Sequence, residues 1–163
     1  MSGTHSNHAM HLWRGIVLTA ALLASACAFN SVQPGMTRQD VLARMGQPSG
    51  EMSLAGGTRL QYSRQPAGRQ VYNVDLDARG HVLQVRQMLV QSEFAHVVVG
   101  TWTRDDVLRA FGPAASIDHV ADWSGDIMTY RWRDVENMFF WVYLDHDNVV
   151  RRTGQGVEYL RDD

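Results

Sequence analysis

The sequence contains no lysine: all 15 basic residues among its 163 are arginine. Schiff-base catalysis and the phosphate loop that depends on a lysine are therefore excluded. There is one cysteine, Cys27. An internal disulfide framework and a multi-thiolate metal site both need more. Neither sign of charge dominates. The formal net charge is −2, which argues against a global electrostatic grip on nucleic acid. Nor is there an apolar run approaching the roughly 20 residues that span a bilayer. What the chain does have is 45% hydrophobic residues and only 20% charged ones. That composition supports a packed core, as one compact domain or two small ones sharing it.

The amino end reads as an address. Arg14 precedes the apolar stretch Gly15–Leu23, then come Ala24, Ser25, Ala26 and Cys27. A basic region, a short apolar region and small residues at a cleavage point describe a secretory signal over 1–26, with Met10 a candidate start. His5, His8 and His11 fall in or before this removed segment and are not expected to form a metal site. The small residues leading into Cys27 resemble a bacterial lipobox, with Ala24 where that family usually has Leu. The resemblance implies that Cys27 is lipidated, and that Ala28, rather than Asp, directs the product to the outer membrane. Two or more acyl chains, at about 0.8 kcal/mol per buried methylene, hold stably. Residues 27–33 then form a short tether.

The remainder repeats. Met36-Thr37-Arg38-Gln39-Asp40-Val41-Leu42 returns as Trp102-Thr103-Arg104-Asp105-Asp106-Val107-Leu108. Further on, Leu60-Gln61-Tyr62 corresponds to Met128-Thr129-Tyr130, and Tyr72–Asp77 to Phe140–Asp145. The copies are assigned to 34–90 and 91–157, with 91–98 predicted as a connecting helix and 158–163 as a frayed polar tail. Thr37 and Thr103 are predicted N-caps, with Asp40 and Asp106 three residues on. Gly46 and Gly112 suit a left-handed helix end, and Pro48 and Pro113 prevent continuation. Strands are predicted near 59–64, 70–76 and 81–89, and again near 127–133, 138–144 and 148–154. The expected fold is α+β, with short helices on a three-stranded antiparallel sheet, twice.

The phrase Gly35-Met36-Thr37-Arg38-Gln39-Asp40-Val41…Gly46-Gln47-Pro48 resembles the BamE (SmpA/OmlA) lipoprotein family. Its tandem arrangement is similar to the beta-lactamase-inhibitor-protein superfamily. The resemblance implies an outer-membrane lipoprotein facing the periplasm and contacting envelope or outer-membrane proteins. The expected role is a non-enzymatic interaction or scaffolding module in envelope assembly or maintenance. An inhibitor-like module for an envelope enzyme is the alternative, and an envelope hydrolase a third.

The residues offer little chemistry. Ser116, His119 and Asp122 can be grouped as a triad on paper, but no nucleophile elbow accompanies them. Asp145-His146-Asp147 has ligand types for a metal, yet a hairpin turn selects Asp for backbone reasons alone. No cofactor, metal or catalytic residue is expected. The informative signal lies between the copies. Strand alternation places Tyr72, Val74 and Leu76 on one face, matching Phe140, Val142 and Leu144, as core. The opposite face is Val71, Asn73 and Asp75 in copy one, but Phe139, Trp141 and Tyr143 in copy two. Arg131 and Arg133 lie on the neighbouring strand, placed to stack on these rings. Aromatic residues and arginine are favoured at binding hot spots. Phe139, Trp141, Tyr143, Arg131 and Arg133 are therefore the candidate partner surface, with internal packing as the competing reading.

Overall fold

The computed structural model describes residues 31–159. The signal, the Met10 start, Cys27 and residues 160–163 lie outside the described residues. Among those described, no helix is long and apolar enough to cross a membrane. The elements are α1 (Arg38–Met45), β1 (Gly50–Leu54), β2 (Gly57–Ser63), β3 (Val71–Asp77), β4 (Val82–Gln87), α2 (Gln91–Phe94), α3 (Arg104–Phe111), β5 (Ser116–Asp118), β6 (Ile127–Arg133), β7 (Asn137–Leu144) and β8 (Val150–Val157). They form two antiparallel sheets, ordered β1-β2-β3-β4 and β5-β6-β7-β8. Each sheet has four strands, not the three expected. The additional members, β1 and β5, are edge strands, and β5 is exposed along its whole length.

Local chemistry sets the helix ends. Thr37 and Thr103 each complete a capping box with Asp40 and Asp106. These bonds satisfy helix-end donors that have no intrahelical acceptor. They also favour the charged carboxylate: hydrogen bonds from Thr37 and from Thr103 hold Asp40 and Asp106 below the usual carboxylate range. Gly46 (φ 76°, ψ −162°) and Gly112 (φ 72°, ψ −168°) end the helices. Their φ is positive as expected, but ψ is extended rather than helical. That region is essentially closed to any residue with a side chain. Each glycine carbonyl accepts a bond from a core tyrosine hydroxyl, Tyr62 to Gly46 at 3.1 Å and Tyr130 to Gly112 at 2.8 Å. Burial pushes the Tyr130 phenol far above its ordinary range. The helix end and the sheet are thereby tied in the same way in both repeats.

The packing is a stack of four layers. Val41 of α1 buries against Leu60, Tyr62, Val74, Leu76 and Val82 on the inner face of the first sheet. Val107, Ala110 and Phe111 of α3 bury against Met128, Tyr130, Trp132, Phe140, Val142 and Leu144 of the second. Phe94 of α2 stacks on Phe140 with ring centroids 4.0 Å apart. Val71, Met88 and Leu89 of the first repeat join this second core. The order through the molecule is therefore α1, first sheet, α3, second sheet. The predicted fraying of the tail does not begin at Glu158, whose side chain is 7% exposed and pairs with Arg69 and Arg131.

Candidate functional site

The stack gives the outer face of each sheet a different fate. On the first sheet that face carries Arg59, Gln61, Asn73 and Asp75, a composition that reads as solvent-facing. It is buried instead: Gln61 is 3% exposed, Asn73 1% and Asp75 4%. The C-terminal end of α3 sits on it. Helix ends leave carbonyls without intrahelical partners, and they carry partial negative charge. Asn73 Nδ2 donates to the Ala110 carbonyl at 2.9 Å, and Arg59 donates to the Arg109 carbonyl at 3.2 Å. Gln61 Nε2 donates to Asn73 Oδ1 at 3.1 Å. Arg59 also forms a two-pronged ion pair with Asp75, which receives a further bond from Gln84. Burial alone would raise the Asp75 pKa. The bonds from Arg59 and Gln84 and the charges of Arg59 and Arg86 outweigh it and hold the carboxyl low.

The two sheets superpose in register at an offset of 68 residues. Arg59, Gln61, Asn73, Asp75, Gln84 and Arg86 correspond to Ile127, Thr129, Trp141, Tyr143, Arg152 and Gly154 (pairings Arg59↔Asp75↔Gln84 and Gln61↔Asn73↔Arg86 against Ile127↔Tyr143↔Arg152 and Thr129↔Trp141↔Gly154). The donors that hold a helix end are gone, and among the described residues no helix covers this face. Phe139, Trp141 and Tyr143 line it, each half-buried. Trp141 lies across β8, where a Cβ on Gly156 would stand 2.7 Å from the indole. Glycine at that point is what lets the ring lie flat. Phe139 and Trp141 are 5.8 Å apart by ring centroid, and Trp123 meets Tyr143 edge-on at 5.2 Å. Trp123 is itself fixed by a bond from Nε1 to the Leu144 carbonyl at 2.7 Å. The result is a pre-formed aromatic ledge.

The predicted site residues separate. Phe139, Trp141 and Tyr143 share the open face as expected. The stacking arginine is neither Arg131 nor Arg133 but Arg152, whose guanidinium carbon is 3.8 Å from the Tyr143 ring centroid. Arg131 braces the repeats: its guanidinium pairs with Glu158 at 2.5 Å and donates to the Pro66 carbonyl at 3.0 Å. The Gln65 amide clamps the Arg131 backbone, donating to its carbonyl at 2.6 Å and accepting from its N–H at 3.2 Å. Arg133 is exposed at the end of β6. Sequence reasoning missed Trp123, Arg152, Gly154 and Gly156. The two glycines inside a strand were the available signal, since glycine there marks close approach of another group.

The paper triad is not assembled. Ser116 donates to Asp118 at 2.9 Å, while His119 lies 2.9 Å from Asp126, which also pairs with Arg104. In the Asp145-His146-Asp147 turn, Asp145 accepts from the N–H groups of Asp147 and Val149 and from Arg151. Its oxygens are occupied by shaping the hairpin, the role expected of Asp there.

Residues 26–86 match the family model for the outer membrane protein assembly factor BamE domain. The resemblance read from the repeated phrase is therefore borne out, and the matched span is the first repeat. Among solved structures, the chain is similar to a DUF4309 family protein (YjgB) from Bacillus subtilis. Identity is 14%, with 83% of this chain and 93% of that chain covered, at a TM-score of 0.33. It is also similar to a Streptococcus mutans protein described as a beta-lactamase inhibitor protein. Identity there is 12%, with 83% and 98% covered, at a TM-score of 0.31. No curated protein matches.

Proposed function

We propose that this chain is a non-catalytic binding module of the cell envelope. It is held on the periplasmic face of the outer membrane by lipid on Cys27, and it engages an envelope protein through the open face of its second sheet. One observation carries the reading. The same face of the first sheet is occupied by the following repeat's helix, and in the second repeat that face is aromatic and uncovered by any helix among the described residues. Its rings are held by Gly154, Gly156 and Arg152 with no covering helix among the described residues, so little ordering cost remains at binding. The BamE domain match, named for outer membrane protein assembly, supports the envelope setting.

The test is cross-linking in cells and co-purification from envelopes, comparing wild type with Trp141→Ala/Tyr143→Ala. A membrane-protein partner that is lost from the folded variant supports the reading. A partner indifferent to both changes overturns this surface. Cys27→Ala is expected to release the processed protein from membranes; retention would overturn the anchor.

A further inference from the structure

The aromatic ledge borders a sheet edge. Strand β8 pairs with β7 on one side and, among the described residues, with no strand on the other. The register shows which of its backbone groups face outward. Met138 lies opposite Val157, and one step on the Glu158 N–H donates to the Asn137 carbonyl at 2.8 Å. Ladder bonds alternate along an antiparallel pair. Gly156, Gly154 and Arg152 therefore also bond inward to β7, while Thr153, Gln155 and Val157 turn their N–H and C=O groups away from it. The first repeat has the same phase: Met88 N–H donates to the Val71 carbonyl at 2.7 Å, in the place of Gly156 and Phe139. The chain itself uses the head of this edge, where Val150 accepts from Gly100 N–H at 2.7 Å and donates to the Trp102 carbonyl at 2.8 Å. Beyond that point the three outward residues have no backbone partner among the described residues.

The side chains beside the edge select what can join it. Trp141 lies over two glycines, and Cβ atoms on Gly154 and Gly156 would stand 3.5 and 2.7 Å from its ring. No side chain of those residues separates the indole from the place of a further strand, about 4.8 Å away. At the next alternate position, Arg152 lies on the Tyr143 ring at 3.8 Å and the Trp123 ring at 5.3 Å. It has no hydrogen bond or ion pair among the described residues, and β8 contains no acid. Arg151 is answered by Asp145 at 2.6 Å, and Glu158 is held by Arg69 and Arg131. The edge thus presents one cation without an acid and two glycine gaps floored by an indole. The opposite edge strand, β5, has three residues and carries Asp118, so it offers neither the length nor the charge.

We infer that the envelope partner joins this sheet as an added strand. An extended, acidic segment runs along β8 and exchanges main-chain bonds with Thr153, Gln155 and Val157. It sets a carboxylate against Arg152 and apolar side chains against Trp141 across the glycines. The inference rests on the ledge being the binding face. In strand addition the main chain supplies affinity and alternate side chains supply selection. A carboxylate fits the guanidinium fork with two parallel bonds.

The probe is a capped peptide with phenylalanine, valine and glutamate at alternate positions, in that order and in reverse, so that both strand directions are offered. Its counterpart carries arginine in place of glutamate. Calorimetric titration of the full chain should give saturable binding of the glutamate peptide in one of the two orders, at least about tenfold tighter than the arginine peptide. Amide exchange at Thr153, Gln155 and Val157 should slow at least about tenfold on binding. Gln155 is exposed, and proline is accepted where an edge N–H faces outward. Gln155→Pro therefore keeps the bonds to β7 and should weaken binding at least about tenfold. Arg152→Glu should reverse the preference toward the arginine peptide, a readout that does not depend on the proline variant. No saturation in either order, or an unchanged preference in Arg152→Glu, overturns the added strand. Protection of the three amides before peptide is added also overturns it, and assigns the edge to another segment of the chain or, where protection rises with protein concentration, to a second copy. In envelopes, partner capture lost in Trp141→Ala/Tyr143→Ala but kept in Gln155→Pro overturns the added strand and leaves the ledge standing. Capture kept in both overturns the ledge and the strand together.

Discussion

The outer faces of the two sheets occupy the same place in the same repeat, yet one is polar and buried and the other aromatic and open. On the first sheet, Arg59, Gln61, Asn73 and Asp75 bury almost completely because α3 offers carbonyls in need of donors. On the second, Trp141 and Tyr143 stand where Asn73 and Asp75 would be, and among the described residues no helix end brings such carbonyls to them. Polarity was therefore a poor guide to exposure in this pair. A buried polar group is tolerated when each of its bonds is made, and a ring is tolerated at the surface when glycine and arginine flank it. A tandem repeat makes this contrast possible. Each sheet presents one face to its own helix; the other face of the first sheet receives the helix of the second repeat, and that of the second sheet receives no helix among the described residues.

The largest expected effect separates neighbouring residues on opposite faces of β7. Phe140→Ala should cost about 4 kcal/mol, because it empties the stacked contact with Phe94 in the core. Phe139→Ala should cost about 1 kcal/mol or less. Chemical denaturation of the two variants checks this, and equal losses would mean that the outer face is part of the core. Next is Asp75→Ala, expected to cost roughly 3 kcal/mol by stranding the Arg59 guanidinium, 13% exposed, beneath α3. Tyr143→Ala, at the equivalent position, should cost far less while reducing partner capture. A reversal of that order would remove the distinction between the faces.

The helix-ending glycines sharpen the comparison further. Gly46→Ala and Gly112→Ala both force a side chain into a glycine-only conformation, at about 1–2 kcal/mol. Only at Gly112 does the new Cβ also meet Gln61 Oε1, at 2.8 Å, whereas nothing lies within 4 Å at Gly46. Gly112→Ala should therefore melt lower, and equal melting would show that the seam yields freely. The smallest effect concerns acid. The folded Asp75 pKa lies below its unfolded value, so its contribution is present above the unfolded value and is lost as pH falls through the folded one. Stability measured below about pH 4 should fall less steeply in Asp75→Asn than in wild type. Identical slopes would mean that other carboxylates, Glu158 among them, account for the acid loss.

Much of the architecture was legible because it is written locally and twice. Thr37 with Asp40, Gly46 before Pro48, and the paired Tyr62 and Tyr130 each state a cap, a stop or an anchor within a few residues. Strand β1 was legible in principle, since Gly50-Glu51-Met52-Ser53-Leu54 alternates. Its small and polar residues muted the signal. Strand β5 was not legible: Ser116, Ile117 and Asp118 are all exposed, and pairing with β6 alone defines it. Of the candidate surface, the three rings could be read from alternation. Assigning Arg131 to the seam and Arg152 to the stack could not, because both depend on which loop reaches which strand.

By itself, the sequence determined the two repeats, their capped helices, their inner core faces and the contrast between Asn73 and Trp141. These follow from short-range periodicity and backbone preference, which act within about ten residues. Only the tertiary structure decided which polar face is buried, which arginine stacks on the rings and which face no described helix covers. Those outcomes depend on α3 lying between the sheets, so that its carbonyls meet Asn73 and Arg59 while its apolar side meets Phe140. Pairing between groups dozens of residues apart is a property of the packed stack, and no local pattern contains it.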